Sequence, residues 1–247
     1  MTSLLSRLLR FRSPDSAPAL NEQPDLTEPE FLAACAICRP ATMTSVERLY
    51  ALHQSIRYLV EADLPGALVE CGVWKGGSAM MIALTLKALG VNDRDIVLFD
   101  TFEGMTQPGG EDIDHEGMPA AKLLARGNRD TNPFWAYSPI EEVTRNLRST
   151  GYPMAKIHTV VGDVLQTIPA QAPASVALLR LDTDWYESTR HELAHLFPRL
   201  VPRGVMIIDD YGHFKGARKA VDEYLATLPD RYLLQRVDYT GRVMVKT

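Results

Sequence analysis

Residues 67–90 read ALVECGVWKGGSAMMIALTLKALG, and the order of residue types within them decides the fold. A short apolar run, Ala67 to Val73, leads into Trp74-Lys75-Gly76-Gly77-Ser78 and then a helical stretch from Ala79 to Leu89 that stops at Gly90. That is strand, glycine turn, helix. The same alternation recurs downstream. Ile96 to Phe99 ends at Asp100, Ile157 to Val161 at Gly162-Asp163, Val176 to Leu181 at Asp182, and Val205 to Ile208 at Asp209-Asp210. Helical segments stand around these runs. Ser45 to Leu59 precedes the first, Ser138-Pro139-Ile140-Glu141 opens another that Gly151 closes, and Glu187 to Leu196 and Phe214 to Leu228 supply two more. Strands alternating with helices predict an α/β fold, a mostly parallel sheet with helices on both faces. Tyr232 to Val237 and Arg242 to Lys246 leave no room for a helix between them and predict a C-terminal antiparallel hairpin turning at Asp238 to Gly241.

The composition fits this reading. At 247 residues, 46% hydrophobic and 23% charged, the chain is ordinary globular protein, long enough for a full α/β core with additions. A formal charge of -5 offers no positive field for a nucleic-acid backbone, so a small molecule is the expected partner. No uninterrupted apolar run reaches the roughly 18 residues of a membrane-spanning helix, and integral membrane insertion is not expected. Cys35, Cys38 and Cys71 are too few for a disulfide framework, which suits a cytoplasmic location. Cys35-Ala-Ile-Cys38 has the C-x-x-C form, but no second pair completes a zinc site, and a spacing of three also places two core residues on one helix face.

Met1 to Arg12, MTSLLSRLLRFR, lacks the apolar centre of a secretory signal and reads as a loosely held arm or a short basic amphipathic helix. The expected division is an N-terminal arm and helical addition over 1–40 and the catalytic-type domain over 41–247. Within the latter, Thr101 to Tyr137 shows little periodicity, several glycines and acids, and Phe134-Trp135; a lid at about 104–137 is expected there.

In open α/β sheets ligands bind beyond the carboxyl ends of the strands, where this sequence places its acids and its glycine turn. The turn is neither G-x-G-x-x-G nor a P-loop, and Glu70 would repel a pyrophosphate. Glu70 and Asp100 instead suit a ligand with a cationic amino acid part and a free ribose, as in S-adenosylmethionine. Asp182, Asp184, Asp209 and Asp210 form a second constellation. Carboxylates crowded at neighbouring strand tips repel one another unless a cation compensates, and a hard divalent ion such as Mg²⁺ suits oxygen ligands. Asp184, two residues beyond Asp182, returns to the same face and is a general-base candidate. Each acid taken singly has the blander role of capping a helix or pairing with Arg. His213, at the expected rim, is either a substrate contact or a helix-start residue.

From about Thr42 onward the sequence resembles the macrocin O-methyltransferase (TylF-like) family of S-adenosylmethionine- and Mg²⁺-dependent sugar O-methyltransferases. The resemblance rests on Thr42-Met43-Thr44, Glu70-Cys71-Gly72-Val73-Trp74-Lys75-Gly76-Gly77, Asp100-Thr101-Phe102-Glu103-Gly104-Met105, Leu181-Asp182-Thr183-Asp184-Trp185-Tyr186-Glu187-Ser188-Thr189 and Ile208-Asp209-Asp210-Tyr211. It implies a class I methyltransferase-like Rossmann sheet. It also implies that Glu70, Gly72 and Ser78 line the methionine part of the cofactor, that Asp100 holds the ribose, and that Asp163 lies near the adenine, with Thr42, Met43, Trp74, Thr101 and Asp182 also at the cofactor. Asp182, Asp209 and Asp210 match the metal ligands and Asp184 the proposed base. Thr183 departs from the Gly common between those aspartates. The acceptor implied is a hydroxylated small molecule, a sugar diol or glycosylated natural product, methylated by a soluble biosynthetic enzyme for which homo-oligomerisation stays open. Two other readings stay open as well: a Mg²⁺-dependent phosphohydrolase of the haloacid dehalogenase type, suggested by the apolar strand before Asp182-Thr-Asp184, and a non-catalytic S-adenosylmethionine-binding assembly partner.

Overall fold

The structure, a computed structural model, describes residues 23–247. The arm at Met1 to Arg12 lies outside the described residues. Helix α1 (Pro29–Cys38) and α2 (Val46–Glu61) precede the first strand. Then follow β1 (Ala67–Cys71), α3 (Gly77–Ala88), β2 (Ile96–Asp100), a short α4 (Ala120–Leu124), α5 (Ile140–Ser149), β3 (Ile157–Val161) and a single-turn α6 (Val164–Thr167). The remainder is β4 (Val176–Leu181), α7 (Tyr186–Leu196), β5 (Leu200–Ile208), α8 (Lys215–Thr227), β6 (Gln235–Arg236) and β7 (Arg242–Val245). The strands form a seven-stranded sheet in the order β3-β2-β1-β4-β5-β7-β6. β1 to β5 pair in parallel, and β7 is antiparallel to both β5 and β6, so the expected hairpin is present.

Period-two alternation sends each strand's residues to opposite faces. Leu68, Ile96, Leu98, Leu178, Val205 and Ile207 pack beneath α1, α2, α3 and α5, and Val69, Val97, Phe99, Leu179 and Met206 pack beneath α7 and α8. Cys35 and Cys38 lie fully buried on the core face of α1 as free thiols. Ser45 caps α2 by accepting from the Arg48 amide at 3.2 Å.

Two expected boundaries move. Residue 139, not 138, caps α5, because Ser138 donates its hydroxyl to Glu142 at 3.2 Å and leaves the helix end alone. β6 is confined to two residues, since Tyr232 turns back to stack its edge on Phe197. The segment between β2 and α5 is also more ordered than its sequence suggests. Ala120, Leu123, Leu124 and Phe134 join Trp185, Phe214 and Ala217 in a separate apolar cluster. Asp112, 2% exposed, accepts the amides of Gly109 at 2.6 Å and Tyr186 at 2.7 Å, pinning this segment to the start of α7.

Pairing of Cys71 with Leu181, and of Leu181 with Ile208, sets the ends of β1, β4 and β5 level. Gly72 makes the close approach there. Its φ is +82°, and a Cβ would collide with the Asp182 carbonyl. Gly72→Ala is expected to destabilise the fold by about 2–5 kcal/mol, combining left-handed strain of ~1–2 with overlap of ~1–3. Urea denaturation checks this; a loss below about 1 kcal/mol would mean that the β1 and β4 tips are not tightly apposed.

Candidate active site

A cavity of about 220 Å³ opens above the carboxyl ends of β1, β2, β4 and β5. At one end lie Phe99, Asp100, Thr101, Gly162, Asp163 and Val164; at the other, Asp184, Asp210, His213 and Tyr239. Every residue expected to touch the cofactor lines it: Thr42, Met43, Glu70, Gly72, Trp74, Ser78, Asp100, Thr101, Asp163 and Asp182.

The glycine turn is shaped by Asp100, whose Oδ2 accepts the amides of Val73 at 2.6 Å and Trp74 at 3.2 Å, while Oδ1 accepts that of Phe102 at 2.7 Å. Oδ2 is filled by its two amides, whereas Oδ1, with only the Thr101 hydroxyl at 3.5 Å besides, keeps room for a ligand hydroxyl. Asp163 caps α6 through the Leu165 amide at 2.9 Å, so its blander capping role is real as well. Thr42 accepts the Thr44 amide at 3.0 Å, which folds the segment before α2 onto the turn beside Ser78.

Arg180 organises the centre. It is 2% exposed in the middle of an otherwise apolar strand, and its Nη1 donates to Glu70 Oε1 at 2.6 Å and Asp182 Oδ2 at 2.8 Å. Nη2 donates to Asp209 Oδ1 at 2.6 Å and to the Thr44 hydroxyl at 3.2 Å. Burial nevertheless pushes the Glu70 carboxyl up to about 7 against the pull of Arg180, and Glu70 Oε2 has no partner among the described residues. A buried acceptor left open beside the glycine turn suits a cationic ligand group.

The four aspartates divide differently from the expected grouping. Asp182, Asp184 and Asp210 each offer one oxygen within 4.8 Å of the others. Asp209 is the departure: it stands outside that group, with Arg180 on one of its oxygens and Arg48 of α2 on the other. Arg48 also pairs with Asp238 of the β6–β7 turn at 3.1 Å, and Ser45 donates to the same Asp238 oxygen at 2.8 Å. Desolvation, then the neighbouring acids, hold Asp182 and Asp184 up at about 7 and Asp210 well above its usual range. Asp210 Oδ2 is buried without a hydrogen-bond partner among the described residues. Hard oxygen donors, excess negative charge and an orphaned carboxylate oxygen fit a divalent cation.

Asp184 has φ +67°, which turns its side chain back toward Asp182 and Asp210. His213 lines the cavity near Tyr239, whose hydroxyl lies 3.1 Å from its Nδ1, and burial with the neighbouring His115 lowers its pKa to about 4. Arg180, Arg48, Thr44 and Asp238 were not expected at the site. Only Arg180 carried a signal, a lone cation in the run Val176-Ala-Leu-Leu-Arg-Leu181.

Sheet order, glycine turn and cavity position together define a class I methyltransferase fold. Residues 36–246 match the macrocin-O-methyltransferase (TylF) family, and the chain belongs to it. It is similar to demethyldecarbamoylnovobiocin O-methyltransferase of Streptomyces niveus, with 34% identity over 81% of this chain and 73% of that protein. It is also similar to 8-demethyl-8-(2,3-dimethoxy-alpha-L-rhamnosyl)-tetracenomycin-C 4'-O-methyltransferase of Streptomyces olivaceus, with 31% identity over 98% of this chain and 88% of the relative. Among solved structures, the O-methyltransferase NovP superposes with a TM-score of 0.73 at 31% identity, covering 84% of this chain and 82% of that one. The protein is therefore an O-methyltransferase with S-adenosylmethionine as methyl donor, and the phosphohydrolase and non-catalytic readings fall. No helix among the described residues is long and apolar enough to cross a membrane.

Proposed function

We propose that this enzyme transfers a methyl group from S-adenosylmethionine to one hydroxyl of a vicinal diol on the sugar of a glycosylated small molecule, assisted by Mg²⁺. The observation that carries this is the convergence of Asp182, Asp184 and Asp210 at the end of the cavity away from Asp163. The relatives' names, which specify novobiocin and tetracenomycin derivatives, support a glycosylated acceptor.

Glu70 accepts from the ammonium of the donor, Gly72 and Ser78 line its methionine part, Asp100 accepts from the ribose hydroxyls, and Asp163 stands at the adenine. Thr42, Met43, Trp74 and Thr101 complete the walls. Asp182 and Asp210 would hold the ion, with Asp209 in the proposed ligand set through the lone pairs that its two arginines leave open. When bound, a divalent cation supplies Lewis acidity that lowers the pKa of an acceptor hydroxyl. Asp184 takes the hydroxyl proton as the acceptor oxygen bonds to the methyl carbon and the carbon–sulfur bond breaks, leaving S-adenosylhomocysteine. Residues 1–40 act as an arm and helical addition to the methyltransferase domain at 41–247, the segment at about 104–137 covers the acceptor, and the enzyme works in the cytoplasm.

Calorimetric titration with S-adenosylmethionine, with and without Mg²⁺ and a rhamnosylated acceptor, tests the reading. Cofactor binding is expected in the presence of a chelator, while methyl transfer falls by at least ~100-fold when the ion is removed. Failure to bind the cofactor under every condition overturns the assignment; full transfer in chelator overturns the metal.

A further inference from the structure

Glu192 has no place in the mechanism above, yet it is fully buried on the face of α7 that covers the sheet. Its neighbours on that face, Leu193 and Leu196, are what packing calls for. A carboxyl there is costly unless its polar atoms are satisfied. Only one is: Glu192 Oε1 lies 2.9 Å from the Thr183 hydroxyl, and Oε2 has no partner among the described residues. Burial holds its pKa up at about 8.

Thr183 sits between the aspartates of the site and lines the cavity. Its hydroxyl also meets Ser188 Oγ at 2.9 Å, and its carbonyl accepts the Trp185 amide at 2.8 Å. These bonds clamp the backbone on both sides of Asp184, a non-glycine residue in the left-handed region. Such a conformation persists only where the surroundings over-determine it. Asp182 is fixed from the other side, where its backbone N–H donates to the Cys71 carbonyl at 2.9 Å.

We propose that Glu192 is a positioning residue: acting through the Thr183 hydroxyl, it holds the Asp182–Thr183–Asp184 turn in the geometry that binds the divalent cation. This rests on the metal reading given above. Thr183 and the buried Glu192 are then two halves of one device: the carboxyl sets the direction of the hydroxyl, and Ser188 Oγ at 2.9 Å can take the hydroxyl proton when that carboxyl is removed.

The test uses Mn²⁺ alone as the probe, with its affinity read by calorimetry and electron paramagnetic resonance on the full chain, alongside S-adenosylhomocysteine affinity and Tm. Glu192→Leu is expected to weaken Mn²⁺ binding about tenfold, the usual effect of removing a group that orients a metal ligand. The same change should raise Tm by about 2–4 °C, because a costly buried acid is replaced by an apolar side chain. S-adenosylhomocysteine affinity stays within about twofold. Thr183→Val should weaken Mn²⁺ equally, the double variant no further, and Glu192→Gln, which keeps the acceptor oxygen, should restore the wild-type affinity. A residue that merely packs would give the opposite sign in Tm and leave Mn²⁺ unchanged. Wild-type Mn²⁺ affinity in both Glu192→Leu and Thr183→Val overturns the positioning role while the metal reading stands. A wild-type protein that binds no Mn²⁺ overturns the metal reading and this proposal with it.

Discussion

Asp184→Asn is expected to keep S-adenosylmethionine affinity and to lose turnover by about 10²–10⁴-fold, the range for removal of a positioned proton acceptor. The amide preserves the shape of the side chain and its turn but cannot take up the proton. Asp184 stands with Asp182 and Asp210, at the opposite end of the cavity from Asp163. Donor binding therefore has little reason to change. Desolvation leads in holding its carboxyl at about 7, where a group takes and releases a proton readily at neutral pH. Calorimetry with the donor and initial rates on an acceptor that the wild type methylates separate the two effects. Turnover within about threefold of wild type removes Asp184 from the base role.

Arg180→Met carries the other large effect, and it acts on the whole protein. The guanidinium is the shared partner of Glu70, Asp182 and Asp209. Met fills much of the same space without the charge, leaving buried carboxylates uncompensated. Breaking a buried ion pair from one side typically costs about 3–5 kcal/mol, and here three acids lose a partner together. The penalty depends on pH. Without Arg180 these acids are protonated more readily in the folded chain than in the unfolded one, so the variant regains stability as pH falls from about 8 toward 5. Denaturant titrations at both ends of that range check the magnitude and the sign. Equal stability of variant and wild type at pH 8 overturns the central role assigned to Arg180.

The parallel core of the fold was legible because local chemistry and tertiary packing agree there. Ala67–Cys71 is apolar but for Glu70, is followed by Gly72 at positive φ, and leads into a helix, so pattern and geometry point to the same elements. The acids at the strand ends were legible for the same reason, since each follows an apolar run. The arginine partners were less so. Arg48 sits in an amphipathic helix where a cation normally faces water, and its contacts with Asp209 and Asp238 join residues 161 and 190 positions apart. Nothing local encodes such a meeting. The division of the four aspartates was hidden for the same reason: which carboxylates face a guanidinium and which face one another is decided by side chains on other elements. Glu192 was invisible because an acid within a helical stretch reads as a solvated face until the helix is docked.

The Ser45–Asp238 hydrogen bond spans 193 residues and, with Arg48, closes one wall of the site around Asp209. During translation this has a temporal meaning. Strands β1 to β4, the glycine turn and Asp182 all emerge from the ribosome before Asp209 and long before the turn that carries Asp238. A nascent chain thus presents Arg180 with Glu70 and Asp182 but without Asp209, and Arg48 without either of its acids, so the charge balance of this wall is struck only when the β6–β7 turn arrives. The wall around Asp209 is thus completed by one of the last segments of the described chain to be made.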